Sequence, residues 1–143
     1  MKRKITFIIA AVIMIAAAQT KAITIVNPLK NFKTLQIVQT YLEASTMGNT
    51  KFNNFLFSKD FQFTNSAAQK TYSKSEYLKY LSNMKNLQLN STNSYEILDE
   101  TEQACVAKVT MNFANFSRVD YITLCRQENG WKITKVVSTY PET

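Results

Sequence analysis

The chain has 143 residues, 45% of them hydrophobic, a formal charge of +7 and no histidine. That length suits one domain-sized core, and the missing histidine excludes the usual general base, a Ser–His or Cys–His nucleophile and a histidine-ligated catalytic zinc. Four basic residues, Lys2, Arg3, Lys4 and Lys21, sit at the N-terminus; the other 13 set against 10 acids leave +3, scattered over polar segments, which reads as a solvated surface and argues against nucleic acid as a partner.

Met1-Lys2-Arg3-Lys4 precedes the apolar run Ile5–Ala18, broken only by Thr6. This is the plan of a signal peptide. The run is 14 residues long, whereas a bilayer-spanning helix takes about 20, so a retained anchor is the weaker reading. Small residues in Thr20-Lys21-Ala22 place cleavage after Ala22, with Ala16-Ala17-Ala18 as the alternative site. Residues 1–22 are therefore expected to be a signal peptide and residues 23–143 a single secreted or periplasmic domain, with no membrane association after cleavage.

Asn27-Pro28 suits a helix start, because Asn caps free amides and Pro costs nothing at the first helical position. Leu29, Phe32, Leu35, Val38 and Leu42, widened by Ile37 and Tyr41, predict a long amphipathic helix stopped at Met47-Gly48-Asn49. Thr50–Phe57 reads as a short second helix, Phe61–Thr64 as a short strand and Ser66–Thr71 as a loop. Ser73-Lys74-Ser75-Glu76 is a capping box, opening a third helix with Tyr77, Leu78, Leu81 and Met84 on its apolar stripe and an end near Asn86. Beyond it, Ser94–Asp99, Gln103–Phe113, Arg118–Gln127 and Trp131–Tyr140 are rich in β-branched and aromatic residues and predict four antiparallel strands. Asn129-Gly130 is the clearest hairpin signal, as a two-residue turn matched to strand twist needs positive φ at both positions. Helices followed by a strand meander imply an α+β layer.

Cys105 and Cys125 lie on two of these strands, and export would permit a disulfide between them. An even-numbered register about the Asn115 region puts both sulfurs on one face, an odd one on opposite faces. Two buried free thiols are the alternative.

The segments Ala107-Lys108-Val109, Val119-Asp120-Tyr121-Ile122-Thr123-Leu124, Asn129-Gly130-Trp131-Lys132-Ile133 and Lys135-Val136 together resemble the putative lumazine-binding family of the SnoaL-like, nuclear transport factor 2-like superfamily. The order of elements agrees, from the Tyr41-Leu42 helix before a Gly-Asn break to the closing meander. The resemblance implies a bacterial α+β cone, in which a strongly curved antiparallel sheet wraps three N-terminal helices and leaves a pocket at its open end, and it implies homodimers. It does not fix a reaction, since one fold hosts many chemistries.

One enzymatic scheme survives without histidine, in which a buried carboxylate moves a proton while a tyrosine hydroxyl steadies an enolate. Its inventory is Asp60, Asp99 or Asp120 with Tyr41, Tyr77 or Tyr121, and Asp120 and Asp60 are the acid/base candidates. Each acid also reads as a solvated carboxylate, Asp120 by alternating with the apolar face of its strand. Tyr41 and Tyr121 couple a large ring to a hydroxyl and are candidate pocket residues; Phe55, Phe57, Phe61, Phe63, Tyr77, Met111 and Trp131 are candidates of which most are expected to be core. No cofactor or metal is implied. The leading expectation is a non-catalytic module binding a small apolar or aromatic molecule; an Asp/Tyr proton-transfer enzyme of the isomerase or dehydratase type, and a protein-interaction domain using the outer sheet face, are the alternatives.

Overall fold

A computed structural model describes residues 22–142. The leader expected at residues 1–22 lies outside the described residues apart from Ala22. The elements run α1 (Thr34–Thr46), α2 (Asn53–Leu56), β1 (Phe57–Asn65), β2 (Lys70–Ser73), α3 (Lys74–Asn83), β3 (Thr92–Glu100), β4 (Ala104–Asn112), β5 (Ser117–Gln127) and β6 (Gly130–Thr139). No helix among the described residues is long and apolar enough to cross a membrane.

The six strands form one curved sheet in the order β2-β1-β6-β5-β4-β3. It is mixed, which corrects the antiparallel expectation: β1 lies beside β6 and runs parallel to it, while every other pairing is antiparallel. The sixth strand, β2, overlaps the stretch expected as a loop. It sits at an edge with its residues largely exposed, so it carries no apolar alternation for a sequence reading to find.

Asn27 caps, as its type predicts, yet what it caps is a single turn. Its Oδ1 accepts from the Leu29 amide at 2.9 Å and its Nδ2 donates to the Asn129 carbonyl at 2.7 Å, fastening that turn to the β5–β6 hairpin. The helix proper begins at Thr34, where the Lys33 amide donates to Gln36 Oε1. The later start rotates the apolar stripe: Ile37, Val38, Tyr41 and Ala44 face the sheet, and Leu35 is 42% exposed. The second helix is also shorter than expected, because Phe57 already belongs to β1.

The third helix starts where the capping box places it. The Ser73 amide donates to Glu76 Oε2 at 2.7 Å and Ser73 Oγ accepts from the Glu76 amide. Hydrogen bonds from the Ser73 backbone and then its side chain hold the Glu76 carboxyl below its usual range. The β5–β6 loop is Glu128-Asn129, flanked by the Gln127–Gly130 pair. Only Gly130 there has positive φ, at 102°, so the turn expected at Asn129-Gly130 is displaced by one residue.

The core gathers Leu29, the buried face of α1, Leu56, Phe57, Phe61, Phe63, Tyr77, Leu81 and the inward residues of β4, β5 and β6. Gly48 closes the end of α1 against the end of α3. Its φ is +62° and a Cβ there would meet the Met84 carbonyl at 2.3 Å and the Asn86 amide nitrogen at 2.5 Å. Because backbone cannot move aside cheaply, Gly48→Ala is expected to cost more than about 1 kcal/mol, read as a lower urea midpoint at unchanged slope; an unaltered midpoint would contradict this packing.

Candidate functional site

Strand residues alternate between faces, and β5 points Arg118, Asp120, Ile122 and Leu124 toward the helices. Asp120 is fully buried, which overturns its reading as a solvated carboxylate. Arg118, two residues earlier on the same face, makes that burial tolerable: Nε donates to Asp120 Oδ1 at 2.9 Å and Nη2 to Oδ2 at 2.8 Å. From α1, the Tyr41 hydroxyl donates to Oδ2 at 2.6 Å. The Tyr77 hydroxyl of α3 lies 3.3 Å from that of Tyr41. A charge moved out of water costs several kcal/mol unless paired and hydrogen-bonded, and here the fork of one strand and the phenol of one helix supply the partners.

Burial first, then the charge of Asp120, hold the Tyr41 phenol well above its ordinary range, and burial raises Tyr77 too. Both therefore remain neutral hydrogen-bonding groups. Burial opposes the charge on Arg118, while Tyr41, Asp120 and Tyr77 favour it more strongly, so its net displacement is upward.

Beside this network a pocket of about 360 Å³ opens between α3 and the sheet, lined by Phe63, Asn65, Tyr72, Glu76, Tyr77, Lys79, Tyr80, Arg118 and Tyr140. Its walls are aromatic and ordered. Phe63 and Tyr77 stack with centroids 4.5 Å apart, Tyr77 and Tyr80 at 5.9 Å, and the Arg118 guanidinium lies 5.6 Å over the Phe63 ring.

Of the expected pocket residues, Phe63 and Tyr77 line this cavity and Tyr41 stands one hydrogen bond behind it. Phe57, Phe61 and Met111 are core. Trp131 and the half-buried Phe55 belong to the opposite end of the sheet, where they line separate grooves. Tyr121 points to the outer face and is 41% exposed, because its parity along β5 is opposite to that of Asp120. Asp60 is exposed and accepts from Ser58 Oγ at 2.9 Å, and Asp99 is exposed on β3. The acids and tyrosines of the proton-transfer inventory thus converge at one point only, Asp120 with Tyr41 and Tyr77. Arg118, Tyr72, Tyr80 and Tyr140 were missed. An Arg two residues before an Asp, in phase with Ile122 and Leu124, was the available signal for the first.

The cysteine register is the odd one. Cys105 pairs with Leu124 and Cys125 with Ala104, so the two sulfurs are on opposite faces and both are free thiols; the disulfide is not made. Burial, then the charge of Glu100, pushes the Cys105 thiol up to about 11. Among the described residues no group of three or more Cys, Asp or Glu side chains is placed to hold a metal.

The profile of the Putative lumazine-binding family matches residues 31–139. The chain belongs to that family. Its fold is nuclear transport factor 2-like, as three solved structures show. A protein of unknown function from Silicibacter pomeroyi is 14% identical over 75% of this chain and 92% of its own, with a TM-score of 0.62. One from Cytophaga hutchinsonii is 16% identical over 75% and 94%, at 0.63. A protein from Parabacteroides distasonis described as a putative ketosteroid isomerase is 13% identical over 82% and 95%, at 0.59. No curated protein matches the sequence.

Removing one member of a buried ion pair strands the other, so Asp120→Ala is expected to lower stability by about 3–5 kcal/mol, with Arg118→Met/Asp120→Leu costing much less; equal losses in urea denaturation would contradict the pairing. A raised phenol favours the folded state below its ordinary value and forfeits that contribution as pH rises past it. Near-ultraviolet titration is accordingly expected to show Tyr41 and Tyr77, two of seven tyrosines, ionising only as the protein unfolds in alkali.

Proposed function

We propose that this chain is an exported, non-catalytic module that takes one small, mainly apolar or aromatic molecule into the pocket between α3 and the sheet. The observation that carries the reading is the pairing of an aromatic-walled cavity with a buried carboxylate closed to it. Binding pockets of a few hundred Å³ with apolar walls and few polar groups suit small ligands. Flat rings meet the accessible aromatic side chains of Tyr72, Tyr80 and Tyr140 along the pocket walls. The family's description, which names lumazine, supports an aromatic heterocycle as one such ligand.

The proton-transfer alternative, supported by the description of the Parabacteroides neighbour, needs a base within hydrogen-bond reach of the substrate. Asp120 does not line the pocket, and both its oxygens already accept from Arg118 or Tyr41. Glu76 does line it, but is committed to capping α3 and held in its charged, weakly basic form. Neither is placed as a general base should be.

Self-association through the outer face of the sheet forms part of the same proposal. There the exposed Tyr121 sits in register between Lys108 and Val137, and an exposed ring flanked by apolar and amphipathic side chains suits an interface.

Mass spectrometry of protein expressed with its leader tests these points together. The denatured mass is expected to lack residues 1–22, and the native mass to exceed the chain mass, or twice it, by a small molecule released on denaturation. An unprocessed chain would refute export. A ligand-free native protein that still takes up no aromatic compound when supplied would refute the binding module.

A further inference from the structure

The polar chemistry of the pocket narrows the ligand class beyond an aromatic body, and this inference rests on the binding reading above. Arg118 is 8% exposed as a residue and its side chain 10%, so nine-tenths of it is out of water. Its fork is only partly spent. Nε and the amino group Nη2 serve Asp120, and Nη2 also donates to the Tyr41 hydroxyl at 3.4 Å. Among the described residues Nη1 donates to no acceptor, and it is not among the sealed, unpartnered side-chain atoms. Since Arg118 lines the cavity, the remaining N–H donors are reached from that side.

An arginine carries five donors and no acceptor, and donors left without a partner in a low-dielectric site cost free energy that an incoming acceptor recovers. Asp120 has a second effect. By gripping one edge of the guanidinium in two hydrogen bonds it fixes the plane of the group, while the Phe63 ring lies against the cation. The unspent edge is thereby oriented before any ligand arrives, and preorganisation of this kind adds to affinity and specificity. Ring walls and donor belong to the same cavity: Phe63 touches the Tyr77 stack on one side and the guanidinium on the other.

We propose that the ligand is an aromatic compound bearing a charged oxygen acceptor, a carboxylate, sulfonate or enolate-type oxygen, which takes the free edge of Arg118 while its rings lie among the accessible aromatic side chains of the wall, Tyr72, Tyr80 and Tyr140. Asp120 acts through Arg118 and is a positioning residue. Lys79 at the pocket wall is an exposed cation without a hydrogen bond among the described residues to orient it.

Two fluorescent probes that share one aromatic skeleton test the assignment. 8-Anilinonaphthalene-1-sulfonate carries a sulfonate, and N-phenyl-1-naphthylamine is the same skeleton without it. With the wild-type protein shown folded by near-ultraviolet circular dichroism, the sulfonate is expected to bind about tenfold tighter or more, as a charge-assisted hydrogen bond supplies. Arg118→Met/Asp120→Leu, which removes both charges and so avoids stranding either, is expected to abolish that preference, the folded variant losing about tenfold or more affinity for the sulfonate relative to the neutral probe. Tyr80→Ala is expected to weaken both probes alike. Equal binding of the two probes by the wild-type protein would overturn the acceptor and leave the pocket standing. A preference that survives the double variant but is lost in Lys79→Met would also overturn it, by assigning the acceptor to the lysine. Failure of both probes to bind folded wild-type protein would refute the pocket itself, and with it this inference.

Discussion

The constraint on which the rest of the structure depends is the burial of Asp120. A carboxylate with no exposed surface must find donors, and the geometry of a β-strand allows its neighbour-but-one, Arg118, to provide two of them from the same face. The third comes from Tyr41, which fixes how far along the sheet α1 sits, and Tyr77 extends the contact to α3. Apolar packing alone tolerates small slippages of a helix on a sheet. A hydroxyl required to meet a carboxylate oxygen tolerates far less, so this polar cluster sets the registry of helices that the hydrophobic core merely attracts. Holding a unique arrangement is the best-attested use of buried polar groups, whose net worth against apolar substitutes is small.

The same cluster decides what the pocket offers chemically. Once Asp120 is committed to Arg118 and Tyr41, the negative charge is hidden and the positive group is what the cavity meets. The pocket wall therefore presents a guanidinium and aromatic side chains. Glu76, the remaining carboxylate of the pocket wall, is held by its own helix N-terminus and completes that picture.

Much of this was legible in the sequence, with limits that have physical causes. The capping box at Ser73 located the start of α3 to the residue, while its end at Asn83 falls short of the Asn86 region expected, and the last four strands declared themselves through composition. Asn27 was rightly read as a cap, but local chemistry does not say how many turns follow it. The parallel neighbour of β1 was invisible because pairing partners distant in sequence leave no local pattern, and β2 was invisible because an exposed edge strand shows no alternation. At the site, Phe63, Tyr77 and Tyr41 were foreseen as residue types suited to a pocket, whereas Trp131, Phe55 and Met111 were equally suited and lie elsewhere. Tyr121 and Asp120 were exchanged in meaning by a single step of strand parity. Arg118 was overlooked because arginine is a surface residue by default, and only its phase with Asp120, Ile122 and Leu124 marks it as inward.

The place of β6 in the sheet has a temporal consequence. β6, which follows the other five strands in sequence, lies between β1 and β5, so the β1–β2 hairpin has no edge to join until β6 has taken its place. Joining Phe57 to Ile133 closes a loop that encompasses most of the domain, and such distant pairings are slow steps in folding because loop entropy is lost before contacts compensate. The pocket straddles this seam, with Phe63 on one side, Arg118 on the other and Tyr140 just beyond the final strand. Until β6 has paired on both sides, therefore, the cavity does not exist, and its formation reports the completed pairing of the sheet.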